Sequence, residues 1–218
     1  MGKPMLQIAL DTLTVNEAFE NVDQIKESID IIEVGTILIA SQGKSAIREI
    51  KDRYPDKIII ADGKIADAGA IFAKMYFDNG CDYTTAICAA ETATIKSVLD
   101  AAKTYGADKD VQVELTTHFT WEQAKEWKEI GVEQVVYHRS RDAQAAGVNW
   151  TQKDIDTINK FDKMGFKVTI TGGISLEDIE FFKDVNVYIF IVGRSVRDAA
   201  SPKEAAQEFK NRIEKFYA

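Results

Sequence analysis

Three charged side chains, Asp62, Lys64 and Asp67, crowd the stretch ADGKIADAG (61–69), directly after the apolar run Ile58-Ile59-Ile60. Asp62 and Lys64 stand two residues apart, the spacing that puts both side chains on one side of a strand. Two readings of the pair are open. One is a buried ion pair that closes a core. The other is a site, because Glu33 in IDIIEVG (29–35) adds a further carboxylate to the same region and unpaired buried carboxylates are costly. A divalent cation resolves that excess. Two carboxylates with waters and substrate oxygens are how Mg²⁺ is usually held, and no thiolate set or histidine pair favours zinc.

Other apolar runs lead into groups of the same kind. Asp11 closes MLQIALD (5–11), Glu114 lies in VQVELTT (111–117), and His138 and Arg141 stand in YHRSRD (137–142). An imidazole with Glu114, Arg141 and a metal site for neighbours can hand a proton to a carbanion. His118 reads as a structural group, Arg139 as a surface or loop charge, and Trp150 as an anchor for its loop. TGGIS (171–175) and GRSVRD (193–198) place glycines where helix N-termini should begin. Exposed backbone N–H groups there bind phosphate, and an arginine adds a charged hydrogen bond. The plainer reading, glycines that only make tight turns, weakens when both stretches are taken together. Thr171, Gly172, Gly173, Gly193 and Arg194 are therefore candidates for a phosphate site.

These residues need a frame that brings distant strand ends to one mouth. Eight Ile/Val-rich runs alternate with stretches of helical period, such as VNEAFENVDQIKES and TWEQAKEWKEIG. Thr14 with Glu17, Thr120 with Gln123 and Ser201 with Glu204 have the spacing of capping boxes, and Gly80, Gly106, Gly131 and Gly165 stand where helices should end. The pattern predicts a (β/α)₈ barrel over residues 1–218 as one domain, with its active site at the C-terminal ends of the strands. A doubly wound open sheet is the rival, but ALDTLT follows the first strand where that fold carries a glycine-rich fingerprint. RDAQAAGVNW (141–150) is too long for a plain turn and reads as an active-site loop. The formal net charge of −8 argues against a nucleic-acid or membrane-surface binder. Two cysteines without metal spacing and an N-terminus lacking a long apolar segment lead to the expectation of a cytoplasmic protein.

The D-x-K-x-x-D pattern of Asp62–Asp67 resembles that of the orotidine 5′-phosphate decarboxylase superfamily. EVGT (33–36), ADGKIADAG, VVYHRSRDAQAAG (135–147), TGG and GRSVRDAASP (193–202) resemble its 3-keto-L-gulonate 6-phosphate decarboxylase branch, and the likeness covers essentially the whole chain. The resemblance implies Mg²⁺-dependent decarboxylation of that sugar phosphate to L-xylulose 5-phosphate through an enediolate, in L-ascorbate utilisation. By position it implies Glu33 and Asp62 as metal ligands, Lys64 as the enediolate's cation, and Glu114, His138 and Arg141 as organisers of proton delivery. Asp11 would contact the sugar, and the 171–173 and 193–194 residues the phosphate. Asp67 would reach into a neighbouring subunit's site, which implies a homodimer. Orotidine decarboxylases themselves have lysine in place of Glu33 and need no metal. Hexulose 6-phosphate synthases share the scaffold but lack the HRSRD arginine. Gly63 stands where the branch motif has alanine; a side chain there is expected to point away from the site, with a looser strand end as the only effect.

Overall fold

The computed structural model describes residues 2–116 and 118–217, and in it the eight apolar runs form eight parallel strands. They are β1 (Met5–Leu10), β2 (Ile31–Val34), β3 (Ile58–Ile65), β4 (Tyr83–Ile87), β5 (Asp110–Leu115), β6 (Gln134–His138), β7 (Lys167–Thr171) and β8 (Val187–Val192). Each pairs with the next, and β8 pairs with β1, so the sheet closes into a barrel. The helices run α1 (Val15–Ile25), α2 (Thr36–Gln42), α3 (Ser45–Arg53), α4 (Gly69–Phe77), α5 (Thr92–Lys103), α6 (Trp121–Glu129), α7 (Arg141–Ala145), α8 (Gln152–Lys163), α9 (Leu176–Phe181), α10 (Arg194–Arg197) and α11 (Pro202–Tyr217). This is a (β/α)₈ barrel. The helices beyond a simple alternation are short segments after β2, β6 and β8, and all three border the candidate site.

Period-two alternation sorts the apolar strand residues into two cores. Residues such as Leu6, Ile8, Ile32, Ile59 and Val113 face outward and are fully or almost fully buried against the helices. Each such side chain contributes roughly 1.5–3 kcal/mol of burial. Ile31, Ile60, Val136, Ile189 and Ile191 face inward with Ala9 and Tyr83. One step further along the same inward rows, toward the C-terminal ends, the apolar residues give way to Asp11, Glu33, Asp62 and His138.

The local signals for the helices act as their chemistry dictates. Thr14 and Thr120 accept from the N–H groups of Glu17 and Gln123, whose side chains return the bond. Gly80, Gly106, Gly131 and Gly165 all take positive φ behind their helices. The 141–150 stretch is partly ordered as α7, and no helix among the described residues is long and apolar enough to cross a membrane. Trp150 packs edge-on to Phe182 at 5.3 Å and near Tyr137, which makes it the expected loop anchor.

Candidate active site

β3 does not run regularly to its end. Its register on β4 slips between Ala61 and Ile65, and Lys64 sits at φ 43°, a left-handed backbone that costs a non-glycine residue on the order of 1 kcal/mol. The slip takes the Lys64 N–H out of the ladder, and the Thr85 hydroxyl of β4 accepts it at 2.9 Å. Lys64 therefore reaches the cavity through a strained turn, whereas alternation alone would have assumed a straight strand.

There its Nζ donates to both oxygens of Asp62 at 2.9 and 3.1 Å and to both of Glu114 at 2.7 Å. Thr85 and Thr36 donate to the two Asp62 oxygens at 2.8 and 2.7 Å. Burial pushes the Asp62 carboxyl up, but Lys64 and the two hydroxyls outweigh it and hold its pKa below the ordinary value. Burial likewise opposes the Lys64 cation, yet Asp62 and Glu114 raise its pKa well above that of a free lysine. Asp62 and Glu114 thus favour Lys64 as a cation and hold its ammonium in place. Glu33 differs: burial first, then the nearby Asp62 charge, push its carboxyl well above the usual range, with Gln7 as its hydrogen-bond donor.

These groups line a cavity of about 300 Å³ that also takes in Asp11, His138, Arg141 and Thr171. His138 Nδ1 lies 2.5 Å from Glu114 Oε1, so one carboxylate joins the imidazole to the lysine. Arg141 is placed differently, pairing with Asp11 at 2.8 Å at the exposed rim of the mouth. A second cavity of about 270 Å³ continues from the first and is lined by Gly172, Gly173, Gly193 and Arg194, sharing Asp11, His138, Arg141 and Thr171 with it. The cleft therefore has one half rich in carboxylates and one rich in glycine N–H groups and arginine. Asp67 stands apart: it is exposed, its carboxylate accepts the neighbouring Ala68 N–H and no other donor among the described residues, and it lines neither cavity.

For a metal, no group of three or more His, Cys, Asp or Glu side chains among the described residues forms a cage. Glu33 and Asp62 offer a two-carboxylate oxygen set, short of positive charge at Glu33. The buried Gln7 Oε1 has no hydrogen-bond partner among the described residues, and Gln7 lines the same cavity. Such a set fits a hard cation that keeps waters, as Mg²⁺ does.

Charge-based reading overlooked several members. Thr36, Thr85 and Gln7 are neutral polar residues; Thr85 and Gln7 had only an inward strand position as a signal, and Thr36 opens α2 just past β2. Arg139, read as a surface or loop charge, is instead half-buried and bonded to the carbonyls of Gly172 and Gly173. At Gly63 a side chain points away from the cleft, as expected. The effect is not merely a looser strand end, however, because a Cβ there would run into the buried Tyr76 ring of α4, which fills the space.

The chain is 54% identical to a 3-keto-L-gulonate-6-phosphate decarboxylase of Escherichia coli over 98% of each chain. It is 51% identical to a probable 3-keto-L-gulonate-6-phosphate decarboxylase of Mycoplasma pneumoniae over the full length of both. Among solved structures, a ligand complex of KGPDC from Streptococcus mutans superposes with a TM-score of 0.96 at 38% identity, covering 99% of each chain. A family model matches residues 4–209, and the chain belongs to the orotidine 5′-phosphate decarboxylase / HUMPS family.

Proposed function

We propose that this chain is a carboxy-lyase that converts 3-keto-L-gulonate 6-phosphate to L-xylulose 5-phosphate and CO₂, as a cytoplasmic enzyme of L-ascorbate utilisation. The observation that carries the reading is Lys64, whose ammonium is wedged between Asp62 and Glu114 and faces a cleft whose far half suits a phosphate.

The phosphate would lie against the Thr171–Gly173 turn, Gly193 and Arg194, leaving the keto acid over Lys64. Asp11 and Arg141 at the shared rim would bind the sugar hydroxyls between. When the bond to the carboxylate breaks, CO₂ leaves and the electron pair passes onto the neighbouring carbonyl oxygen, giving an enediolate. Lys64 donates a hydrogen bond to that oxygen in a site already arranged for it, so little reorganisation is needed as charge develops. Mg²⁺ held by Glu33 and Asp62 would supply further positive charge beside the same oxygens. His138, oriented by Glu114, then delivers a proton to the carbon that CO₂ left, directly or through water.

The active unit in this reading is a homodimer. Asp67 lies outside this chain's own cleft, and the exposed apolar residues Ile71 and Phe72 follow it on α4, with Ile37 on α2. A face of that kind suits a second copy of the chain.

Purified protein given the keto acid phosphate and Mg²⁺ should release CO₂ and lose activity on chelation; no CO₂ release would end the proposal. The same enediolate can attack formaldehyde instead of taking a proton, so kcat/KM for hexulose phosphate synthesis should be the smaller of the two.

A further inference from the structure

Arg139 pairs with no carboxylate among the described residues, although it stands beside a cleft full of them. Its guanidinium donates to the Gly172 carbonyl through Nε at 3.0 Å and Nη2 at 2.7 Å, to the Gly173 carbonyl at 3.2 Å and to the Val148 carbonyl at 3.3 Å. The Trp150 ring covers it, 4.5 Å from the guanidinium carbon. A cation so placed is spent wholly on holding backbone.

The backbone it holds is the Thr171–Gly173 turn, where Gly172 and Gly173 take φ of 117° and 63°. The peptide unit is planar and trans, so its C=O and the following N–H point in opposite directions. Drawing the Gly172 and Gly173 carbonyls toward Arg139 turns the N–H groups of Gly173 and Ile174 the other way. Gly172 through Ser175 line the phosphate half of the cleft, whereas Arg139 does not, so it acts from behind the turn. The main chain of Arg139 reinforces this, its N–H donating to the Thr171 carbonyl at 3.1 Å. Gln144 adds a further tie, donating to the Arg139 carbonyl at 3.1 Å while filling the place of a Gly173 side chain.

We propose that Arg139 is a positioning residue that clamps the 171–173 turn so that its N–H groups face the substrate phosphate and its carbonyls do not. The proposal rests on the reading of that turn as a phosphate site. A carbonyl left free to swing toward the phosphate would repel it, so the clamp governs binding more than chemistry.

Arg139→Ala is compared with wild type by the inhibition constant of inorganic phosphate as competitor and by KM and kcat on the phosphorylated keto acid. The expected result is a phosphate inhibition constant and a KM raised together by about tenfold, the equivalent of about 1.4 kcal/mol, with kcat changed less than about threefold. A fall in kcat with unchanged phosphate inhibition, or no change in any constant, overturns the clamp. Wild type that inorganic phosphate does not inhibit overturns the phosphate reading and the clamp with it, which separates the two failures. If Arg139→Ala does not fold, Arg139→Lys takes the same measurements, since one ammonium cannot span the three carbonyls.

Discussion

Replacing Lys64 with alanine tests the centre of the site through stability as well as rate. Lys64 is the only lysine or arginine within ion-pair distance of Asp62 or Glu114 among the described residues. Its removal leaves those carboxyls, 6% and 3% exposed, beside Glu33 at 8%. Deleting one partner of a buried pair costs about 3–5 kcal/mol. At about 2–4 °C of Tm per kcal/mol for a chain of this size, Lys64→Ala should melt roughly 6–20 °C lower at pH 8. That loss lies within the about 5–15 kcal/mol that holds typical proteins folded, so the variant should still fold at 25 °C.

The deficit has a definite direction in pH. Wild-type Asp62, held below its ordinary pKa, stabilises the fold above that value and loses the contribution as the pH falls through the folded one. Without the lysine, burial raises the same carboxyl, which then favours the fold only at low pH and loses that contribution as the pH rises. The second effect makes the gap between variant and wild type wider at pH 8 than at pH 5, and the first narrows it further only at pH values below the ordinary pKa of Asp62. Mg²⁺ should recover part of the gap at pH 8 by returning a cation to Asp62 and Glu33. Calorimetric melting at both pH values, with and without Mg²⁺, reads all of this beside kcat, which should fall by about 10²–10³ or more. An equal loss of Tm at pH 5 and pH 8 would refute the charge-compensation reasoning, and turnover near wild type would remove Lys64 from the chemistry.

Three further outcomes are expected. Gly63→Ala should cost about 1–3 kcal/mol by pressing a methyl into the Tyr76 ring; combined with Tyr76→Ala, the two losses should sum to less than their parts, and strict additivity in urea titrations would contradict the contact. Asp82, at the opposite end of the barrel, is raised by burial but lowered further by Lys109, the Ile59 N–H and Lys51, so its pKa sits below the ordinary value. Asp82→Asn should therefore lose about 1–3 kcal/mol at pH 7, a difference that shrinks as the pH drops below about 4; a gap independent of pH would count against the network. Finally, equal mixtures of Lys64→Ala and Asp67→Asn chains, refolded together, should regain about a quarter of wild-type activity, since half the dimers are mixed and each carries one complete site. Silence from the mixture would confine Asp67 to its own chain.

How much of the structure is legible in the sequence follows from which forces act locally. Closure of the barrel and the inward rows ending in Glu33, Asp62, Glu114 and His138 needed only alternation and the cost of burying charge, and the fold meets both. Thr85 escaped notice because a threonine in an apolar strand carries no charge signal, yet it binds Asp62 and also accepts the N–H that the strand slip releases from Lys64. Arg139 escaped because its partners lie across the fold, at a turn after β7 and under a tryptophan beyond α7. Lys64 shows how a correct placement can rest on an incomplete reason. Spacing of two put it beside Asp62, but a straight strand would not have given it φ 43°. That strained turn persists because Asp62, Glu114 and Thr85 hold the residue at three points, and strain so maintained keeps the ammonium in place before any substrate arrives.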